Sequence, residues 1–427
     1  METSSVIAAA DGPAPDSLSE ATTATPPKGD AAPAKRSNRY LSLDLWRGLA
    51  CMLLVVYHTA FYVPDTFHPR DRSTWTVAGG AVWAAHLFWL GVPLFFVVSG
   101  YCIAASVDSL QRRPYSTTTF FARRIRRIYP PLWAGYVWAI ALTCLVAVLV
   151  PPLYERCDRL PRLAAFSGWN WAGNLSATET WQHHLTGSGR AFLMPNTWTL
   201  CLEEQFYLLC GLLLALSTRR FFAGALFITV SALLLRHLGR RFGVELGGTF
   251  LEGHWLSFAC GMLVFYQLNR AGPAVRKGSV VLLVIGAGYA VLDRVAWAPT
   301  PQARHVDGYL LVACTFALFV GWLRRYDAVL MRAALFRPLL WCGQRSYSIY
   351  LTHYPLVVAL ACGMHLAGLN TPTLWLLVIL PTCVAVALAG GWVFHLLVER
   401  HFLNGRVGEA PASAPTASAP SVEMATA

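Results

Sequence analysis

The chain has 427 residues, of which 56% are apolar and only 13% charged, and its net charge is +12. Soluble domains carry roughly a quarter charged residues, so this balance excludes an ordinary water-soluble fold. Basic loops beside membrane spans account for the positive charge, and no nucleic-acid motif accompanies it, so nucleic acid is not an expected partner.

Residues 1–38 are rich in Ala, Pro, Ser and Thr and read as a disordered tail. No charged stretch there leads into a short apolar core and cleavage site, so no removable signal peptide is expected. Apolar segments near spanning length then recur at 41–63, 80–105, 130–152, 197–217, 221–238, 250–268, 278–296, 307–323, 343–365 and 373–398. The expected fold is therefore an all-α integral membrane protein, a bundle of about ten helices over 39–403 embedded in a lipid bilayer. Residues 404–427 repeat Ala, Pro and Ser and read as a second flexible tail.

An even number of spans puts both tails on one side. Placing the tails in the cytoplasm gives the inner segments twenty-one Lys and Arg against eleven outside, with Arg47 and Arg345 in the membrane. The asymmetry favours that orientation, in the plasma (inner) membrane of the cell. Eleven Cys lie mostly inside the apolar segments without a CxxC pair, so neither a disulfide framework nor a metal site is expected.

The first span carries Asp44, Arg47 and His58, three residues that hydrocarbon rejects. Arg47 and His58 are eleven positions apart, which returns to within about 20° of one helix face and separates them by roughly 16 Å along the axis. Asp44 sits one turn before Arg47, at a spacing that neutralises it. One face thus offers a cation near its entrance and an imidazole deeper in, suited to a long ligand with an anionic head and a reactive tip. The plainer reading is a snorkelling Arg and a His hydrogen-bonded inside the bundle.

The connection 106–129 contains Arg123, Arg124, Arg126 and Arg127 just before Pro130 and Pro131. Four Arg in five positions anchor a span on anionic lipid. They also suit bidentate phosphate contacts, on the same side as Arg47. The longest external connection, 153–196, holds Trp169, Trp171, Trp181, His183 and His184. These read either as interfacial anchors or as an aromatic lid for a sugar. Asn174 opens a glycosylation sequon that matters only in a eukaryotic secretory pathway.

In the fourth span Glu203, Glu204 and Gln205 cannot all face lipid, and by helical rise Glu203 lies about eight to nine ångströms below the outer edge. A carboxylate at that level pairs with an imidazolium such as His58 or positions an acceptor hydroxyl. For Glu252 and His254 a satisfied place in the bundle is preferred. In the ninth span His353 reads as a supporting group among Ser and Tyr residues that bond across helices, with Pro355 following.

These residues resemble the membrane-bound acyltransferase family 3 proteins, which include O-acetyltransferases of bacterial surface polysaccharides, nodulation factors and macrolide antibiotics. The resemblance runs from about Tyr40 to Phe402. It rests on Arg47-x10-His58 after Leu43-Asp44, on Phe95-Phe-Val-Val-Ser-Gly-Tyr101, and on Arg123-Arg124-x-x-Arg127-Ile128-x-Pro130. Trp198-Thr-Leu-Cys-Leu-Glu-Glu-Gln-Phe-Tyr207 and Ser346-Tyr-Ser-Ile-Tyr-Leu-Thr-His-Tyr-Pro355 complete it. It implies an acyl-CoA donor substrate entering from the cytoplasm, acetyl by default, with no bound cofactor. It also implies a carbohydrate or glycoconjugate acceptor. His58 matches the family's essential residue, Arg47 its usual partner, and Arg124 and Arg127 a required pair. Thr-Leu-Cys-Leu before Glu203, and Thr352 where many members carry Trp, are departures that bear on acceptor choice.

On this reading CoA phosphates dock on Arg47, Arg124 and Arg127, assisted by Arg123. His58 is base or transient acyl carrier, helped by Glu203 or Glu204. An ordinary imidazole, with a pKa near 6.5, suits a base at neutral pH. Asp44, Ser99, Tyr207, Tyr350 and His353 are supporting residues. A transporter of a lipid-linked sugar or small glycoside is the rival, against which stands the lack of a second copy of the Arg-x10-His helix.

Overall fold

The computed structural model describes residues 40–63, 76–111, 117–244, 246–297 and 301–403. Both expected tails, 1–38 and 404–427, lie outside them. Among the described residues every regular element is helical. Eight segments are long and apolar enough to cross a membrane: Val77–Gln111, Thr117–Leu149, Pro195–Ser217, Phe221–Gly239, Pro273–Val295, Asp307–Arg332, Ser346–Leu366 and Pro372–Phe402. They coincide with eight of the ten expected spans. The other two fold as the shorter helices α1 (Leu43–Thr59, 17 residues) and His254–Asn269 (16 residues). At 1.5 Å per residue these reach about 25 Å, just under a hydrocarbon core of about 30 Å.

After α1 come α2 (Val77–His86) and α3 (Gly91–Gln111), separated by one short 3-10 turn. The helix α4 (Thr117–Leu149) runs without a break through Pro130 and Pro131. The four Arg expected in a cytoplasmic loop therefore lie on its first turns, and helical spacing aims Arg124 and Arg127 to one side.

The 153–196 connection is built rather than loose. Its helix α5 (Gly168–Leu175) is closed by a capping box between Ser167 and Asn170. The buried Glu179 accepts hydrogen bonds from Asn170 Nδ2 (2.9 Å), the Ala191 amide (2.6 Å) and Gln182 Nε2 (2.7 Å). Burial pushes the Glu179 carboxyl above its ordinary value, against the opposing pull of those donors. Asn174 is 1% exposed and its amide donates to the Asn170 and Ala191 carbonyls, so the sequon is occupied by structure.

The remaining helices of eight residues or more are α6 (Trp198–Ser217), α7 (Phe221–Phe242), α8 (His254–Asn269), α9 (Pro273–Leu292) and α10 (Pro301–Leu323). They are followed by α11 (Arg337–Gln344), α12 (Ser346–Leu366) and α13 (Leu380–Phe394). The short α1 and α8 are the inner helices: α8 packs along α3, and α1 lies against α3, α11 and α12. The α3–α8 contact depends on absent side chains. A Cβ on Gly100 would strike the Phe258 carbonyl, and one on Gly261 the Val97 carbonyl. Away from the site a buried charge is paired: Arg236 of α7 meets Asp307 of α10 and Asp293 at the end of α9.

Candidate active site

Two cavities meet back to back at the centre of the bundle. The first, about 120 Å³, is lined by Arg47, Arg124, Arg127, Ser99, Cys102, Glu203 and Tyr207 among others. The second, about 750 Å³, holds His58 and His353 with Tyr57, Glu252, His254, Arg190, Asn196 and the aromatic rings of Trp89, Trp198, Phe192 and Tyr309. Leu54, Val92, Thr199 and Tyr350 line both. The helix face read from the Arg47–His58 spacing is therefore present, with one end in each cavity.

In the arginine-side cavity Asp44 pairs with Arg47 at 3.1 Å, the i, i+3 contact expected from spacing. The other guanidinium nitrogen of Arg47 lies 3.1 Å from Cys102 Sγ. Arg124 rests over the Tyr207 ring, 5.0 Å from its centroid, and donates to Ser106 Oγ at 3.3 Å. Stacking on an aromatic face holds a guanidinium in place while leaving its edge for an anion. Arg127 lines the same cavity, whereas Arg123 does not.

Glu203 belongs to this cavity too, where Ser99 Oγ donates to it. The expected pairing of Glu203 with His58 is not what the fold provides: helix α6 turns that carboxylate toward the arginines. Glu204, on the next position and so about 100° round the helix, lines neither cavity and lies by Tyr129.

The partner of His58 is His353. His58 Nδ1 lies 2.9 Å from His353 Nε2, and both rings are buried. His353 Nδ1 in turn faces the carbonyls of Ile349 (2.8 Å) and Tyr350 (3.0 Å). Carbonyl oxygens only accept, so His353 Nδ1 carries the proton and, in the neutral ring, Nε2 carries the lone pair. That lone pair takes the His58 Nδ1 proton. His58 Nε2 is then the basic nitrogen, in the tautomer a general base or nucleophile requires. The helix backbone of α12 thus sets the proton position two rings away. Phe61 and Tyr354 pack edge-on against the His58 ring, at 5.0 and 4.9 Å between centroids.

Three residues of the histidine-side cavity were left to the bundle by sequence reasoning or not singled out: Glu252, His254 and Arg190. Glu252 Oε2 accepts from the Gly248 amide at 2.8 Å, and His254 packs on Trp198 and Tyr309. For Glu252 and His254 a polar character beside an apolar span was the available signal, whereas Arg190 stands among polar and glycine residues of the 153–196 connection and gave none. The expected lid residues Trp169, Trp171, Trp181, His183 and His184 line neither cavity. The 153–196 connection instead contributes Thr180, Arg190, Phe192, Pro195 and Asn196. Among the described residues no cluster of three metal-ligating side chains occurs.

Comparison with known proteins gives a consistent answer. The family model of the acyltransferase 3 family, an acyltransferase domain, matches residues 40–392. The chain is 24% identical over 396 residues to the peptidoglycan O-acetyltransferase OatA of Listeria monocytogenes, covering 87% of this chain and 58% of that protein. It is 25% identical over 338 residues to the O-acetyltransferase OatA of Staphylococcus aureus, covering 75% and 51%. It is 24% identical over 374 residues to the putative peptidoglycan O-acetyltransferase YrhL of Bacillus subtilis, covering 82% and 54%. The chain thus spans somewhat over half the length of these relatives. No solved structure matches it. A match over residues 40–392 takes in every residue of both cavities, and the chain, a multi-pass membrane protein, belongs to the acyltransferase 3 family.

Proposed function

We propose that the protein is a membrane O-acyltransferase that moves an acetyl group from cytoplasmic acetyl-CoA to a hydroxyl of a carbohydrate acceptor. Peptidoglycan is the first acceptor to test, since it is the substrate named for the relatives in Listeria and Bacillus. The observation that carries this reading is the pair of back-to-back cavities, with Arg47, Arg124 and Arg127 in one and His58 in the other. The CoA phosphates dock on the arginines and the pantetheine arm follows the α1 face toward His58, across the roughly 16 Å of helix that separates Arg47 from His58. All ten expected spans cross the membrane on this reading, with both tails in the cytoplasm.

The acceptor hydroxyl enters the larger cavity, where aromatic rings and the Glu252 carboxylate offer the stacking and hydrogen bonding a sugar uses. His58 Nε2 takes the hydroxyl proton as the oxygen attacks the thioester carbonyl. The C–O bond forms, the C–S bond breaks with its electron pair on sulfur, and the proton passes to that sulfur. The products are the acetyl ester and free CoA. Glu203 acts on the donor side of this scheme, balancing the arginines and orienting Ser99.

The test is CoA release from acetyl-CoA by protein in nanodiscs, with and without a peptidoglycan extract, for wild type and His58→Ala. Acceptor-dependent release should fall by about 10²-fold or more in the variant, the usual range for losing a general base. Release that the variant retains in full, or failure of acetyl-CoA to bind wild type in a direct assay, would return the protein to the exporter reading.

A further inference from the structure

The partition between the two cavities has two unlike halves. One is hydrogen-bonded: Tyr350 Oη donates to the Asn196 carbonyl at 2.9 Å, Asn196 Nδ2 donates back to the Tyr350 carbonyl at 2.8 Å, and Thr199 Oγ1 lies 3.1 Å from Tyr350 Oη. Moving this half means breaking a reciprocal clamp between α12 and the start of α6. The other half is Leu54 and Val92, both nearly fully buried and without polar ties. Their side chains move by rotamer changes alone.

Leu54 lies seven residues after Arg47 and four before His58, so all three share the α1 face. It is the residue that separates the cation from the imidazole. Its position is set from across the interface by Gly91, the first residue of α3. A Cβ there would lie 2.9 Å from Leu54 Cγ and 2.5 Å from the Ala50 carbonyl, so α3 presses directly on the wall.

A thioester arriving along the arginine side must bring its carbonyl carbon within about 3–3.5 Å of a hydroxyl on the histidine side for reaction. Among the described residues, the aliphatic part of the partition that both cavities share is the Leu54–Val92 half. We propose that Leu54 and Val92 form the seat for the acyl group, a site for short-chain acyl thioesters that admits the acyl end through the wall and limits its length. The inference rests on the acyl-CoA reading above. The arriving acyl group replaces the contacts it displaces, so the wall stays shut to water when the seat is empty. With water in place of the sugar hydroxyl the same C–S cleavage yields acetate and free CoA, and this is the reaction the closed wall suppresses.

The test measures kcat/KM for thiol release from acetyl-, butyryl- and hexanoyl-CoA, with a peptidoglycan extract as acceptor. Wild type, Leu54→Ala and Val92→Ala are compared, each checked for a monodisperse profile in detergent. Wild type should lose about tenfold or more from acetyl to butyryl, in the range that one or two methylenes command in an apolar pocket. Leu54→Ala should raise the butyryl-to-acetyl ratio about tenfold and raise release in the absence of acceptor. Val92→Ala should shift the ratio the same way by less, since it removes fewer carbons. Leu54→Phe, which keeps the wall filled, should lower the ratio further and serves where an alanine variant does not fold. Variants that turn over acetyl-CoA with the wild-type ratio would overturn the acyl seat alone. Absence of turnover of every thioester by wild type would overturn the acyl-CoA reading and the seat with it.

Discussion

The chemistry proposed for His58 depends on which of its nitrogens holds a proton, and that is decided by His353. A Leu at 353 leaves His58 Nδ1 without its acceptor and lets the ring take either tautomer. His353→Leu should lower kcat by about 100-fold, the scale on which groups orienting a catalytic His act, with little change in the KM for acetyl-CoA. His353→Gln, whose carbonyl oxygen accepts the same proton, should recover part of the loss. Equal kcat in both variants would show that the contact serves packing only. Arg124 is a different kind of residue, held on Tyr207 with its polar edge to the cavity. Arg124→Ala should raise the donor KM by about ten- to a hundredfold, the worth of a charged hydrogen bond of about 1.5–3 kcal/mol, and change kcat less. Substrate saturation curves separate the two, and equal losses in both constants would count against docking as its role.

At the scale of elements, eight of the ten expected spans appear where the sequence places them, because a helix of about twenty apolar residues is a local property. What local reasoning mislaid was the state of the polar stretches between them. The arginine cluster falls in the expected connection 106–129 ahead of a span starting at 130, yet α4 begins at Thr117 and continues through Pro130 and Pro131. The 153–196 connection was read through its tryptophans, whereas its organiser is the single carboxylate of Glu179. Glu179→Ala would take the acceptor from the Ala191 amide, while Asn170 and Gln182 keep the Gly189 and Trp169 carbonyls, and should destabilise the connection by about 1–3 kcal/mol. Protease nicking between residues 160 and 190 measures it. Burial raises the Glu179 carboxyl, so the folded connection binds a proton more tightly than the unfolded one. That contribution is complete below the ordinary carboxylate range and is lost as pH rises through the raised value. Nicking of wild type should therefore increase from mildly acidic toward neutral pH, and Glu179→Ala should flatten the dependence.

For the whole molecule, the topology turns on the two short inner helices crossing the membrane. If α1 crosses, Leu41 and Gln111 share a face of the membrane, because Val77–Gln111 supplies the second crossing. Membrane-impermeant thiol labelling of single Cys placed at Leu41 and Gln111, in a background with the natural Cys removed, should give the same accessibility at both. A Cys at Gly187 should give the opposite one. Opposite labelling at Leu41 and Gln111 would put α1 in a re-entrant position and reverse the expected sides of the cavities.

By itself the sequence determined the class of the molecule, the places of its apolar helices, and the alignment of Arg47, Asp44 and His58. Each of these depends on hydrophobic length or on the 3.6-residue period, which act over one or two turns. Only the tertiary structure decided what each polar group meets. His58 and His353 are 295 residues apart in the chain, and Tyr350 and Asn196 are 154. The same packing turned Glu203 to the arginines, brought Glu252, His254 and Arg190 into the cavity that holds His58, and set Leu54 and Val92 between two cavities. Helical spacing says which residues share a face. Which face of another helix lies opposite is a matter of how all the helices pack at once, including where glycines such as Gly91 let two backbones close.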